Sequence, residues 1–297
     1  MQYYELVVVM PVGPACRTAF IADTLHSIAH YTSGSYKIVL ADDSQQGTGK
    51  TIQHLFPDAD VVPTPHSMGK LCGLYVTLSM AFQHVLRYYH FDALLRIDTD
   101  ALMTGPDPHR EAAALFKNKH IGLAGQYPLD YEGEPWDVSW PKAQLHTYTA
   151  TYKFFKHPVA HARLRRLLQK AQQHGYRNGE SVFGGACFYS EHCLHCLQEA
   201  GLLPNLMLKD VTLEEDHLFS LLVKSIDMHF GSLSGTDGPM ACAWVGLPAS
   251  PTALSAAGKK IIHSVRKWQN QSEEDIRHYF RQQRLAEKKA AHVHTQQ

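Results

Sequence analysis

The chain has 297 residues, of which 44% are hydrophobic, and this length allows one large domain or two small ones with a sizeable core. Lys plus Arg equals Asp plus Glu at 28 each, so no global basic field draws the chain to nucleic acid. The six cysteines are too few and too dispersed for a disulfide framework, and residues 192–196 lack the second pair of ligands that a zinc site needs. No stretch approaches the ~20 apolar residues of a membrane helix and no signal peptide is apparent, so we expect a cytoplasmic protein without a transmembrane segment.

The first half of the chain alternates apolar runs of strand length with amphipathic helices. Residues 6–12 and 36–41 predict strands, and residues 19–31 between them predict a helix. Strand, helix and strand in this order form a βαβ unit, which implies parallel strands joined by a right-handed crossover. A short third strand at residues 60–63 continues the pattern, and an apolar helix follows it.

Two glycine-containing segments in this half could bind phosphate. Residues 49–51 end like a P-loop, but that motif needs glycine at position 44, where the chain has serine. We therefore predict a loop that leads into a helix at this point. Gly69 and Lys70 lie at the first turn of the next helix, where free backbone amides and the lysine charge favour an anion. A solvated surface lysine is the alternative.

A pair of acids directly follows a predicted buried strand. Residues 93–97 form an apolar run that is broken only by Arg96, and the run ends at Asp98 and Asp100. In open α/β sheets, ligands bind in the crevice at the carboxyl ends of the strands. Carboxylates suit Mg²⁺ or Mn²⁺, and such ions often bridge an acid to the phosphates of a substrate. These residues therefore indicate a metal and diphosphate anchor, with an ordinary turn as the alternative.

The second half contains further strands and a second acidic segment. A strand is predicted at residues 121–125, an aromatic loop at 126–146, a helix with a basic face at 158–173, and an apolar strand after Gly184 and Gly185. Glu214, Glu215 and Asp216 then open an apolar helix, and helix capping with dipole compensation is the simple explanation for them. His263 lies in a late strand that basic residues flank.

The chain shows no internal repeat and no obvious linker. We predict one main domain of residues 1–268, followed by a C-terminal basic helix and tail of residues 269–297. The helix is expected to be solvated or docked on the domain. A peripheral membrane contact is the alternative, although the apolar face of this helix is thin.

The motifs of the first half together resemble nucleotide-sugar glycosyltransferases of the GT-A fold, especially the family 2 type. They are an apolar first strand, a second strand followed by Asp-Asp-Ser, a Gly-Lys pair at the start of a helix, and a strand that ends in Asp-x-Asp. The resemblance covers residues 5–268 and implies an α/β fold with a Rossmann-like, mostly parallel central sheet flanked by helices. No Gln-x-x-Arg-Trp follows Asp216, and the absence of this signature of processive synthases favours a non-processive enzyme.

The resemblance also implies an activity. It is the transfer, with inversion and dependent on Mn²⁺ or Mg²⁺, of one sugar from a nucleoside-diphosphate sugar, with a UDP-sugar favoured. The acceptor would be a hydroxyl of a glycan, a lipid-linked molecule or another compound.

Individual residues take roles from the same resemblance. The implied donor-binding residues are Pro11, Asp42, Asp43, Lys70, Asp98, Gly184, Gly185 and Arg266. The implied metal ligands are Asp98, Asp100 and His263. Asp216 is implied as the general base that removes the proton of the acceptor hydroxyl, with Glu215 in support and Glu214 as the alternative in a shifted register.

Two other functions fit part of the pattern. A sugar-phosphate nucleotidyltransferase also combines a parallel sheet, a lysine and metal-binding acids. However, residues 11–17 are a poor match for its Gly-rich loop, and it leaves Glu215 and Asp216 unexplained. A non-catalytic sugar-nucleotide binder would have no use for intact acids at positions 98, 100 and 216.

Overall fold

The computed structural model describes residues 1–295 and consists of three β-sheets surrounded by helices. The strands are β1 (Gln2–Val12), β2 (Tyr36–Asp42), β3 (Asp60–Pro63), β4 (Tyr89–Ile97), β5 (Ala101–Met103), β6 (Ile121–Gly125), β7 (Ala186–Tyr189), β8 (His229–Ser232), β9 (Met240–Cys242), β10 (Ile261–His263), β11 (Lys267–Trp268) and β12 (Gln271–Ser272). The helices are α1 (Thr18–Tyr31), α2 (Thr48–Leu55), α3 (Cys72–Tyr88), α4 (Pro108–Phe116), α5 (Ser139–Ala150), α6 (Pro158–Gln173), α7 (Glu191–Glu199), α8 (Glu215–Ser225), α9 (Pro251–Ala256) and α10 (Glu273–Thr295). Two short 3-10 helices span Tyr152–Lys156 and Leu206–Leu208.

The central sheet has seven strands in the order β3-β2-β1-β4-β7-β6-β8. Strand β1 is parallel to both β2 and β4, and β2 is parallel to β3. Strand β7 runs antiparallel to its neighbours β4 and β6, while β6 and β8 are parallel. The predicted fold class, an α/β protein with a mostly parallel central sheet flanked by helices, is therefore confirmed.

Apolar layers cover both faces of this sheet. Side chains alternate across a strand, so Val7 and Val9 of β1 join the core on one face, and Leu6 and Val8 join the core on the other. The strand lies between two helical layers and is therefore buried on both sides. This double burial explains why residues 6–10 of the strand are continuously hydrophobic and do not alternate with polar residues.

One predicted loop is partly helical. Residues 126–146 were expected to form an aromatic loop, but α5 begins at Ser139 and continues to Ala150. The prediction was wrong because only a few side chains of α5, among them Leu145 and Thr149, are buried, so the helix lacks a clear apolar stripe. The three-residue strands β5 and β9 were not predicted either.

A second, three-stranded sheet in the order β5-β10-β9 lies next to the C-terminal helix. Leu102 of β5 and Ile262 of β10 share an apolar cluster with Ile276 and Phe280 of α10. The predicted division of the chain at residue 268 stays a prediction, and residues 296–297 of the predicted tail lie outside the described part of the chain. Among the helices of residues 1–295, none has the length and apolar character needed to cross a bilayer.

Candidate active site

Four distant chain segments meet at one edge of the central sheet. Strand β4 ends at Ile97, which pairs with Ala186 at the start of β7, and the N–H of Asp98 donates to the Gly185 carbonyl at 2.9 Å. In the smaller sheet, His263 at the end of β10 pairs with Ala101 of β5. The pairing of β4 with β7 therefore places Gly184 and Gly185 beside Asp98. The pairing of β10 with β5 places His263 beside the loop of residues 98–100, which joins β4 to β5.

Asp98, Asp100 and His263 form a cluster suited to a metal ion. One ligand atom from each residue lies within 4.8 Å of the others. His263 Nε2 is 3.8 Å from Asp98 Oδ2 and 3.4 Å from Asp100 Oδ1. The opposite ring nitrogen, Nδ1, donates to the Ala243 carbonyl at 3.0 Å. In the neutral tautomer, Nε2 thus carries its lone pair toward the two carboxylates, and this donor set fits a divalent cation such as Mn²⁺ or Mg²⁺.

Asp100 is held by several partners in addition to His263. Its Oδ2 accepts a hydrogen bond from Ser264 Oγ at 2.7 Å and pairs with Arg266 Nε at 2.8 Å. Burial alone would raise the pKa of Asp100, but the hydrogen bonds and charges of His263, Ser264 and Arg266 outweigh it and hold that pKa well below its ordinary value. Asp100 is therefore ionised at neutral pH, while about two thirds of the Arg266 side chain stays exposed.

Arg96 is a site residue that sequence reasoning missed. Its guanidinium is buried, pairs with Asp98 Oδ1 at 3.1 Å and with Glu215 Oε1 at 2.5 Å, and donates to the Gly184 carbonyl. Burial raises the pKa of Glu215, and the charge of Arg96 opposes that shift. The available signal was the single charge inside the apolar run of β4, because a buried arginine requires anionic partners.

Asp216 lies in the first turn of α8 and packs against the glycine pair. Its Oδ2 accepts from the Gly184 N–H at 3.1 Å, and its Oδ1 accepts from the His217 N–H at 2.8 Å. A Cβ atom on Gly184 would lie 2.5 Å from the Cβ of Asp216, and one on Gly185 would lie 2.6 Å from the His263 ring. The two glycines thus leave the space that Asp216 and His263 occupy, a requirement that the sequence did not reveal.

The segments joined at this edge border a cleft of about 370 Å³. Predicted site residues that line it are Asp98, Gly184, Gly185, Glu215, Asp216 and His263. Other lining residues include Arg96, Phe183, Glu214 and the tryptophans at positions 136, 140 and 244. Its volume falls within the range common for small-ligand sites.

Two of the tryptophans are more exposed than is usual for this residue type. Trp140 is 54% and Trp244 63% exposed, whereas Trp136 packs edge-on against Phe183, which in turn contacts the ring of His263. Two exposed aromatic surfaces therefore border the cleft that contains Asp216.

Several predicted site residues do not line this cleft. Within the described chain, the lining of the cleft does not include Pro11, Asp42, Asp43, Lys70 or Arg266, nor the predicted metal ligand Asp100, which is buried beside it. Lys70 is exposed in the segment before α3. Its positive charge opposes the rise in the pKa of Glu214 that burial and Asp216 cause.

The acids after β2 bind the backbone of neighbouring loops. Asp42 accepts hydrogen bonds from the N–H groups of Ser44 and Gly49, each at 3.0 Å. Asp43 accepts from the Met68 N–H at 2.7 Å and the Gly69 N–H at 2.9 Å. In this structure both carboxylates therefore organise the loops before α2 and α3.

No protein-family model matches the chain, and no curated protein matches its sequence. Among solved structures, the mannosyltransferase PcManGT from Pyrobaculum calidifontis in complex with GDP-Man and Mn²⁺ aligns at 13% identity with a TM-score of 0.46, covering 79% of this chain and 56% of that one. TarS 1-349 of S. aureus in complex with UDP-GlcNAc aligns at 14% identity with a TM-score of 0.41, covering 79% of this chain and 56% of that one. Mouse xyloside xylosyltransferase 1, in its apo form, aligns at 11% identity with a TM-score of 0.41, covering 88% of this chain and 97% of that one.

The chain thus spans a little over half the length of the first two of these proteins. Because all three TM-scores are below 0.5, the similarities carry no argument about substrate or reaction.

Proposed function

We propose that the chain is a metal-dependent glycosyltransferase of the GT-A type, which moves a single sugar from a nucleoside-diphosphate sugar to an acceptor hydroxyl with inversion. The main observation in support is that a group of potential metal ligands lies close to a carboxylate that could act as a base. A donor set of two carboxylates and one imidazole lies next to a cleft that also contains Asp216. Sugar transfer needs stabilisation of the leaving diphosphate and a group that accepts a proton. A cation held by the carboxylates and the imidazole would meet the first need, and Asp216 would meet the second.

Asp98, Asp100 and His263 would hold the divalent cation. When bound, the cation would neutralise charge on the diphosphate leaving group. Arg266, which Asp100 anchors at 2.8 Å and which keeps an exposed guanidinium, is positioned to add a second positive charge to that group. UDP-sugars are the favoured donors in this proposal.

Asp216 accepts the proton of the acceptor hydroxyl. The acceptor oxygen then forms a bond to the anomeric carbon as the bond from that carbon to the diphosphate oxygen breaks, and the bonding electrons leave with the diphosphate. Attack from the face opposite the leaving group inverts the anomeric centre. Hydrogen bonds from the Gly184 and His217 N–H groups fix the orientation of the Asp216 carboxylate for this step.

The acceptor in this proposal is a sugar. Faces of exposed aromatic side chains pack well against the C–H faces of sugar rings, and Trp140 and Trp244 both border the cleft. Asp137 and Glu214, which also line it, could accept hydrogen bonds from sugar hydroxyls.

Asp216→Asn is expected to abolish transfer and to leave nucleotide binding intact. The amide keeps an oxygen for the Gly184 N–H but cannot take up the acceptor proton. Binding is measured by thermal shift with UDP, GDP, CMP or dTDP, each with Mn²⁺, Mg²⁺ or EDTA, because ligands of the native state raise its apparent stability. Transfer is measured as release of nucleoside diphosphate from nucleotide sugars in the presence of simple glycosides.

Glu214→Gln is the matched comparison, since Glu214 is the neighbouring acid in the same cleft. Retained transfer in Asp216→Asn, or loss of transfer only in Glu214→Gln, would remove Asp216 as the base. Pyrophosphate release from a nucleoside triphosphate would indicate a nucleotidyltransferase, and nucleotide binding without turnover would indicate a non-catalytic binder.

A further inference from the structure

The C-terminal helix α10 contributes a buried arginine that the proposed reaction does not use. The side chain of Arg277 is 1% exposed. Its Nε donates to Glu273 Oε1 at 2.8 Å, and its Nη1 lies 3.1 Å from both Asp23 Oδ2 and Thr24 Oγ1. Its Nη2 donates to the backbone carbonyl of Thr99 at 2.6 Å. The guanidinium therefore donates one hydrogen bond to the loop that contains Asp98 and Asp100.

Thr99 lies between Asp98 and Asp100, so its carbonyl belongs to the peptide group that leads into Asp100. Because a peptide group is planar, a fixed Thr99 carbonyl also fixes the direction in which the chain enters Asp100. Thr24 Oγ1 lies 3.0 Å from the same carbonyl and 2.9 Å from the carbonyl of Ala101, so its hydroxyl is shared between the two ends of this loop. Arg277 and Thr24 thus hold one side of this peptide group.

Backbone hydrogen bonds also hold this loop. The Val265 N–H donates to the Asp100 carbonyl at 2.8 Å, and the Ala101 N–H donates to the Asp98 carbonyl at 3.1 Å. These bonds come from the loop itself and from the chain just beyond His263. The bond from Arg277 is different, because it links the loop to a helix near the end of the chain.

We propose that Arg277 is a positioning residue, which holds the Thr99 carbonyl and thereby sets the spacing of the Asp98 and Asp100 carboxylates for a divalent cation. This inference rests on the proposed function for the role of the cation. Arginine suits the position because its planar fork directs several donors at fixed angles, whereas the compact ammonium of lysine could not reach the same four partners together. Helix α10 is in this way a part of the site and not an appendage.

Arg284 provides a matched control. It lies in the same helix, is also buried, and its Nη2 pairs with the same aspartate, Asp23, at Oδ1 and 2.5 Å. Within residues 1–295, Arg284 makes no hydrogen bond to Thr99. Asp23 keeps an arginine partner when either Arg277 or Arg284 is replaced, whereas only Arg277→Met also loses the bonds to Glu273, Thr24 and Thr99.

The test is a Mn²⁺ titration of the chain of residues 1–297, followed by the electron paramagnetic resonance signal of free Mn²⁺, together with thermal unfolding in EDTA. Arg277→Met is expected to weaken Mn²⁺ binding about tenfold, the effect typical of residues that orient metal ligands. Arg284→Met is expected to lower the melting temperature as well but to bind Mn²⁺ within about twofold of the unmodified chain, since the metal ligands keep their support.

Mn²⁺ binding by Arg277→Met at the unmodified affinity, or equal weakening in both variants, would overturn the inference. An unmodified chain that binds no Mn²⁺ would instead contradict the proposed metal site. If Arg277→Met does not fold, Thr24→Val tests the same carbonyl, because it removes the hydroxyl beside Thr99 and keeps every ion pair of Asp23. It is expected to weaken Mn²⁺ binding several-fold, and an unchanged affinity would count against the inference.

Discussion

Glu214, Glu215 and Asp216 occupy successive positions at the start of α8, and Asp98 lines the same cleft. Arg96 is the buried cation that offsets part of this negative charge, through its ion pairs with Asp98 and Glu215. Like charges placed close together disfavour the ionised forms, and such placements are common where function and not stability selects the residues. We therefore expect Glu214, which does not pair with Arg96, to reduce the stability of the fold.

Glu214→Gln is expected to raise the melting temperature slightly at neutral pH. Burial and the nearby charge of Asp216 raise the pKa of Glu214, so the folded state holds its proton more firmly than the unfolded state does. Ionisation of Glu214 therefore lowers the free energy of unfolding as pH rises, and replacement of Glu214 by glutamine removes this destabilisation. The gain should stay within about 1 kcal/mol, because solvent screens a partly exposed carboxylate.

Thermal unfolding of both proteins between pH 4 and 8 checks this prediction. The difference in melting temperature should shrink toward pH 4, where the glutamate is protonated in both states. A variant that is less stable than the unmodified chain at pH 7 would contradict it.

The residue types at the site could be read from the sequence, but their partners could not. Asp98 and Asp100 stand out because two acids end an apolar run, and His263 was named only through a family resemblance. The groups that orient them, such as the Ala243 carbonyl and the hydroxyl of Ser264, are ordinary residues whose role depends on long-range packing. Arg96 was visible as an interruption of a strand, yet its partner Glu215 lies 119 positions further along the chain.

At the scale of secondary structure, one carboxylate joins the edge of the central sheet to a helix. Asp60 of β3 pairs with Lys37 Nζ of β2 at 2.8 Å and with His84 Nε2 of α3 at 2.7 Å, and it accepts a hydrogen bond from Tyr89 Oη of β4 at 2.5 Å. Four elements that are separate in sequence therefore share this one side chain. The cluster lies outside the residues that line the cleft, so it is open to mutation without direct effect on the proposed chemistry.

Asp60→Asn is expected to lower the free energy of unfolding by about 1.5–3 kcal/mol at pH 7, the usual effect of losing hydrogen bonds to a charged group. Burial opposes ionisation of Asp60, but its bonds to Lys37, Tyr89 and His84 outweigh burial and lower its pKa. The stabilisation is present above the pKa of the unfolded aspartate, about 3.9, and is lost as pH falls through the lower pKa of the folded state.

Urea unfolding at pH 7 and pH 3 measures the effect, with Glu199→Gln as an exposed control. The difference between Asp60→Asn and the unmodified chain should narrow at pH 3. Equal stability of the two proteins at pH 7 would mean that the Asp60 cluster contributes nothing.

Elements whose limits are marked in the sequence could be predicted, and elements without such marks could not. Helix α6 spans the predicted residues 158–173, and β3 spans the predicted residues 60–63, because turn residues and apolar periodicity mark their limits. Strand β5 has three residues and no mark of its own in the sequence, and it forms by pairing with β10 in the folded chain. Helix α5 has little amphipathic pattern to identify it.

At the scale of the whole molecule, α10 completes the core beneath the smaller sheet. Ile276 and Phe280 are buried against that sheet, in a cluster that includes Leu102 and Ile262. Removal of two buried side chains of this size costs about 3–6 kcal/mol of hydrophobic stabilisation. Such a loss is comparable with the total stability of many proteins.

A chain that ends at residue 268 is therefore expected to unfold at a much lower temperature or to aggregate. A chain that ends at residue 291 is the control, since it keeps the buried face of α10 through Arg284. Circular dichroism during heating compares the two. A melting temperature for the shorter chain equal to that of the control would support the predicted boundary at residue 268 as the limit of an independent domain.

The antiparallel direction of β7 has a consequence for how this site could diversify. In an all-parallel sheet, every strand would contribute the loop at its carboxyl end to the cleft. Because β7 runs the other way, it contributes the segment that precedes it, which begins after α6 and ends at Gly185. Insertions and deletions before the glycine pair would reshape one wall of the cleft while the pairing of β7 with β4 and β6 stays in register. Such changes in this one segment would leave the positions of Asp98, Asp100 and His263 unchanged.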